Sequence, residues 1–357
     1  MLFPSISVGF AVTVAFMLAL RPLAKATGLV DRPGGRKSHI GEVPVMGGIA
    51  MFFGAFSGLL VFQGGSPEFT SLIFASFLLL AIGVLDDRFE LPSGVRFATQ
   101  FAVSIIMIYG AGIYLQTIGN PFGFGNIDLG FLAGPFTIIV SLTVINAYNL
   151  VDGVDGLAGS LAAIALLGLT VIGGYGLPTS GMALAFVAAI AGFLCFNFPV
   201  ILNRSVRSFM GDAGSTLLGF TIVWITVSLT RSEAVAVSPV ICLWLASIPI
   251  YDCLTCFVRR AHRGKSPFTP GRDHFHHVLK RSGLGVRQVL GVLTGFQLIY
   301  ALIAIVGFYL AVPDFLMFAG WAICGLMQRQ MIKAIAKYHR FTVRRRRNMR
   351  PLFPAAG

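Results

Sequence analysis

Long apolar stretches separated by short polar ones recur from one end of this chain to the other. A helix of about 17–25 apolar residues is long enough to cross the hydrocarbon of a bilayer. Such stretches occupy 4–22, 45–63, 70–85, 97–114, 131–148, 157–175, 181–198, 214–230, 238–257, 288–310 and 313–329. They predict an all-α polytopic membrane protein with about eleven transmembrane helices. Residues 1–22 lack a basic leader and run straight into a basic loop, which predicts a retained first helix rather than a cleaved signal. One longer connection, Gln116–Gly130, holds Asn120-Pro121 and alternates loosely, so a small hairpin is expected there.

Composition agrees with that pattern. Of 357 residues, 56% are apolar and 11% charged, whereas soluble domains carry about 25% charged residues. The net charge of +13 would suit nucleic acid, but its distribution argues otherwise. With loops assigned to alternate sides, 26 of the 27 Lys and Arg fall on the side of loops 23–44, 86–96, 149–156, 199–213 and 258–287 and the basic tail 331–357. Arg231 alone falls opposite. The positive-inside rule puts the basic side in the cytosol, the N-terminus outside and the C-terminus inside. A single transmembrane domain over 1–330 is expected, and the Arg344–Arg347 run of the tail suits anionic membrane lipids. Nucleic acid is not an expected partner. The five cysteines are an odd number, and Cys253 and Cys256 read as packing inside an apolar stretch.

The candidate chemistry sits at the ends of the apolar stretches. A charge near a bilayer is expensive unless paired, hydrated or bound to a cation, so it points to function. Asp86 and Asp87 are adjacent, followed by Arg88, Phe89 and Glu90. Neighbouring carboxylates repel unless a cation or shared proton relieves them. The segment Asn149-Leu-Val-Asp152-Gly-Val-Asp155-Gly156 repeats polar groups every third residue, as on neighbouring faces of a helix. A solvated helix end accounts for Asp86 and Asp87 less well than a base or a Mg²⁺-associated pair does. A cap by Asp155 on a helix from Leu157 would explain one carboxylate, not two plus an amide. Phe209-Met-Gly-Asp212-Ala-Gly sets a carboxylate at the start of another apolar stretch, where a cap or a hard cation would account for it. Phe209 can stack on a base or simply pack. The largest basic-side loop reads Ser266-Pro-Phe-Thr-Pro-Gly-Arg272-Asp273-His274-Phe-His276-His277. Its arginine and imidazoles suit a diphosphate better than zinc, given the oxygen-rich carboxylates elsewhere. Asp252 is a further near-membrane carboxylate whose partner the sequence does not reveal.

Taken together and in this order, D-D-R-F-E, N-L-V-D-G-V-D-G, F-M-G-D-A-G-S-T and R-D-H-F-H-H resemble the polyprenyl-phosphate N-acetylhexosamine-1-phosphate transferases. Ser266-Pro-Phe-Thr-Pro270 with its H-x-H-H looks like the WecA-type branch rather than the branch that makes the peptidoglycan precursor. Gly271 departs from the aspartate common in that branch. The resemblance implies transfer of N-acetylglucosamine-1-phosphate, or a close N-acetylhexosamine-1-phosphate, from a UDP-sugar to undecaprenyl phosphate. UMP would be released at a cytosolic-face site in the bacterial inner membrane. It implies Mg²⁺, with Mn²⁺ as a substitute, held by Asp212 and Asn149. Asp86 and Asp87 would be catalytic, and Asp152, Asp155 and Phe209 would hold the nucleotide. Arg272, His274, His276 and His277 would grip the diphosphate and sugar. A homodimer is the implied assembly. An ion-coupled transporter is the alternative, although transporters usually set ionisable groups near the bilayer midplane. Asp152-Gly-Val-Asp155-Gly-Leu-Ala158 also opens like a CDP-alcohol phosphotransferase, but Gly159 stands where that pattern needs arginine.

Overall fold

The computed structural model describes residues 2–32, 41–62, 66–199, 207–235, 237–262, 264 and 274–348. Within them the chain is helical nearly throughout. The only sheet among the described residues is a two-stranded antiparallel pair, β1 (Val30–Asp31) and β2 (Val43–Pro44). The helices are α1 (Leu2–Thr27), α2 (Gly47–Phe62), α3 (Pro67–Phe89), α4 (Ser93–Ile105, extended by a π turn to Gly110), α5 (Ala133–Val151), α6 (Leu157–Gly173) and α7 (Pro178–Asn197). After them come α8 (Gly211–Thr230), α9 (Pro239–Leu245), α10 (Ser247–Ala261), α11 (Phe275–Arg281), α12 (Val286–Tyr309) and α13 (Asp314–Asn348).

Six helices are long and apolar enough to cross a membrane, or seven if α9 and α10 count as one span bent by 87°. The expected eleven is therefore not reached by length and composition, and the shortfall has physical reasons. α6 and the apolar part of α2, Gly47–Leu60, are apolar but short. α4 carries Gln100 and Ser104 on its buried face, where they bond to Asn146 (2.6 Å) and Ser141 (2.9 Å) of α5. That seam lowers its hydropathy while leaving Phe101 exposed. α13 takes in Gln328, Arg329 and Lys333 within one continuous helix. A polytopic membrane fold stands on the remaining spans.

α8 is the central element. Of its residues only Gly211, Asp212, Thr226, Ser228 and Thr230 are not fully buried, and Leu217, Phe220 and Trp224 sit deep in the core. α3, α5 and α2 pack around it. A β-carbon at Gly83 of α3 would fall 2.4 Å from the Ala213 Cα, so glycine is what permits this approach. Because α3 and α8 cross so closely there, Asp86 and Asp87, one turn on, reach the first turn of α8. Outside the bundle, Phe74, Phe77, Leu298 and Leu302 are exposed in mid-helix, which suits lipid rather than water. The segment after α4 forms the expected small hairpin, with Thr117 opposite Asp128 and Ile118 N donating to Ile127 O.

Candidate active site

Each acidic motif lies at the same end of the bundle, and each does so for a local reason. α3 runs on through Asp86 and Asp87 to Phe89, so these residues belong to its last turn and not to a loop. Glu90, at φ 52°, closes it by donating N–H to Asp86 O. Asp87 then acts as the cap of a different helix. Its Oδ1 accepts from Asp212 N at 2.8 Å and its Oδ2 from Ala213 N at 3.3 Å, at the start of α8. Asp212 makes no cap itself. Its Oδ1 accepts from Asn149 Nδ2 at 2.9 Å, and its Oδ2 lies 3.2 Å from Arg96 Nη1. The same Nη1 lies 3.3 Å from Asp86 Oδ2, and Leu91 N donates to Asp86 Oδ1 at 2.7 Å. One guanidinium therefore sits between two carboxylates from helices 126 positions apart in sequence.

The expected helical repeat of Asn149, Asp152 and Asp155 is not what forms. α5 ends at Val151, and the two aspartates lie on the turn that follows. Gly156, at φ 78°, takes the cap position of α6, and its N–H donates to Asn197 Oδ1 at 2.6 Å, so Asp155 is not the cap. Asp155 instead pairs with Arg207, whose guanidinium also lies 4.9 Å from the Phe209 ring centre. Phe209 is held by backbone bonds to Pro44 and Gly47, beside β2. Burial, and then the charges of Asp212 and Asp155, push the Asp152 carboxyl up to about 7.

The histidine segment approaches from the other side on α11. A β-carbon on Gly153 would lie 2.3 Å from His276 Nε2, so the glycine lets this ring rest directly on the turn. Lys280, one turn further, donates to Gly153 O at 3.0 Å. Burial holds His276 as a neutral imidazole, down to about 2, and also lowers His277 and Lys280. His274 lies at the start of α11 against Asp252 of α10. Arg272 falls outside the described residues.

Two hollows meet here. The larger, about 1220 Å³, is lined by Asp86, Asp87, Asn149, Asp152, Asp155, Asp212, Phe209 and His277, together with Arg96, Arg207, Lys280 and Arg287. The second, about 750 Å³, is a more apolar groove along Leu79, Ile82, Phe97, Ile139, Leu142, Leu254 and Phe257, with His274 and His276 at its polar end. Asp86, Arg96, Asn149, Asp152, Gly153, Asp212 and His277 line both. The structure thus gathers ten of the eleven sequence candidates around one junction. It separates His274 and His276, on the groove alone, from His277, which faces both spaces.

Sequence reasoning missed Arg96, Arg207 and Lys280, and it found Asp252 without its partner His274. Lys280 had a signal, since it follows His276 and His277 at helical spacing of four and three. Arg96 and Arg207 had none, because their partners lie on distant helices.

The structure is a helical membrane bundle whose acidic side chains converge at one end of its helices. The family model described as glycosyl transferase family 4 matches residues 69–230. Three relatives each carry the name undecaprenyl-phosphate alpha-N-acetylglucosaminyl 1-phosphate transferase. The one from Yersinia pestis is 35% identical over 348 residues, covering 96% of this chain and 94% of its own. That from Escherichia coli (strain K12) is 35% identical over 345 residues, covering 96% and 94%. That from Pasteurella multocida (strain Pm70) is 35% identical, covering 96% and 97%. The chain belongs to this family of glycosyl-1-phosphate transferases.

Proposed function

We propose that this chain transfers N-acetylglucosamine-1-phosphate, or a close N-acetylhexosamine-1-phosphate, from a UDP-sugar to undecaprenyl phosphate and releases UMP. The site would face the cytosol at the bacterial inner membrane. The observation that carries this reading is the shared wall between an acid-lined cavity and an apolar groove. A water-soluble donor and an acceptor that cannot leave the bilayer need such a junction to meet.

The side chains present fit a hard divalent cation. Asp86 and Asp212 already hold one positive group, the Arg96 guanidinium, between their oxygens. Mg²⁺ is typically bound by one or two carboxylates plus substrate phosphates. Asp212 would hold it, with Asn149 turning its amide oxygen inward and Mn²⁺ serving as a substitute. When bound, the ion supplies charge neutralisation at the diphosphate.

The protein groups divide the remaining work. Asp87 uses both oxygens on the amides of α8, which suits a holding role and leaves Asp86 to orient or deprotonate the acceptor phosphate. Arg96, on both hollows, brings a positive charge to that phosphate. Asp152 and Asp155 bind the uridine, and Phe209 lies against the uracil once Arg207 moves from its ring towards the diphosphate. His274, His276, His277 and Arg272 grip the phosphates, helped by Lys280. An acceptor oxygen then attacks the sugar-linked phosphorus in line, a step driven by positioning and charge neutralisation.

Purified protein supplied with undecaprenyl phosphate, Mg²⁺ and a panel of radiolabelled UDP-sugars tests this directly. UMP release with label in the lipid phase is expected, and the panel identifies the sugar. Substrate flux into proteoliposomes without UMP would make the chain a transporter instead.

A further inference from the structure

Asp252 is a carboxylate within α10, 1% exposed, and none of the chemistry above uses it. Both of its oxygens are engaged by one short stretch of chain. Oδ1 accepts from Phe275 N at 2.8 Å, and Oδ2 lies 3.0 Å from His274 Nδ1. His274 is 4% exposed, and the Cys256 Sγ lies 3.4 Å from the same ring nitrogen. The hydrogen bond between Nδ1 and Oδ2 fixes the ring in one orientation. Nε2 is then the polar atom left for a ligand. An N–H at that nitrogen donates to a phosphate oxygen.

Position indicates which phosphate. His274 lines the apolar groove and not the wider acid-lined cavity. The groove runs between α3, α4, α5 and α10, past Leu79, Phe97, Leu142 and Phe257. A ligand lying there is a lipid, and its phosphate head would come to the polar end where His274 stands.

We propose that Asp252 is a positioning residue that orients His274 towards the phosphate of the lipid acceptor and seats α11 by holding Phe275 N. This rests on the transferase reading above and deepens it. His274 thereby serves the acceptor, and His277, on both spaces, serves the donor side of the junction.

The test compares wild type, Asp252→Asn, Asp252→Glu, His274→Asn and the Asp252→Asn/His274→Asn double variant in detergent. Binding of undecaprenyl phosphate is measured by native mass spectrometry, and turnover by UMP release. Loss of a charge-assisted hydrogen bond should weaken lipid-phosphate binding and raise the acceptor KM by about tenfold in Asp252→Asn. The donor KM should stay near wild type. Asp252→Glu should recover part of the acceptor affinity, and the double variant should be no worse than His274→Asn alone. A uniform fall in kcat with both KM values unchanged would mean a merely structural role and would overturn the proposal. So would an equal rise in donor KM. Stoichiometric zinc in the wild type, lost in Cys256→Ala, would make the cluster a metal centre and overturn it as well. Wild type that binds the lipid phosphate but forms no UMP would refute the transferase reading alone. The binding comparison would still decide the role of Asp252.

Discussion

Asp152 and Asp212 stand at one junction but are held differently, and separate measurements follow. Asp212 takes an amide on one oxygen and a guanidinium on the other. Asp212→Asn should lower turnover by at least about 100-fold, the scale on which a lost electrostatic stabiliser acts. It should also blunt the response to added Mg²⁺; activity like wild type would remove Asp212 from the site. The Asp152 carboxyl is pushed up from the usual 3.8 to about 7 by burial and its acidic neighbours. A folded-state value above the unfolded one means that the folded protein binds the proton more tightly. Stability contributed by this group is therefore fully present below about pH 4 and is lost as pH rises through about 7. Metal-free protein should melt at lower temperature at pH 8 than at pH 5, and Asp152→Asn should shrink that difference. An unchanged pH slope in the variant would assign it to other groups. The acids themselves were legible in the sequence as charges at the ends of apolar stretches. The Asp252–His274 pair was not, because nothing along the chain tells a helix interior which of several loop imidazoles will reach it.

The legible part of the elements is their existence, since a helix forms within each of the eleven apolar stretches. Their ends and their ability to span were harder to read. The 87° break between α9 and α10 at Ala246 interrupts a stretch that looks continuous in hydropathy. The end of α3 is set by partners elsewhere: the helix continues past two acids because α8 and Arg96 engage their carboxyl oxygens. At α4 and α5 the polar seam between Gln100 and Asn146 makes a testable contribution. Gln100→Leu leaves Asn146 Nδ2 only its bond to Leu142 O and should destabilise the protein by about 0.5–1.5 kcal/mol. Pairing it with Asn146→Leu should recover much of that loss in thermal unfolding. At the turn after α5, Gly153→Ala would push a methyl into the His276 ring. Turnover should fall while the bundle unfolds near the wild-type temperature, because the strain lands on α11 rather than on the core.

For the molecule as a whole, the charge bias of the sequence implies an orientation that can be measured. Ser93 begins α4 at the acidic end of the bundle, and Glu233 follows α8 at the opposite end. Both are exposed. In a cysteine-free background, Glu233→Cys should react with an impermeant maleimide added to intact spheroplasts. Ser93→Cys should react only after the membrane is opened. The reverse pattern would invert the topology and move the proposed site outside.

The common wall of the two hollows also governs departure. In the proposed reaction a nucleotide would leave the larger space to water while a lipid product would slide away along the groove, so neither would block the other's door. On that reading, release of one product would not wait for the other.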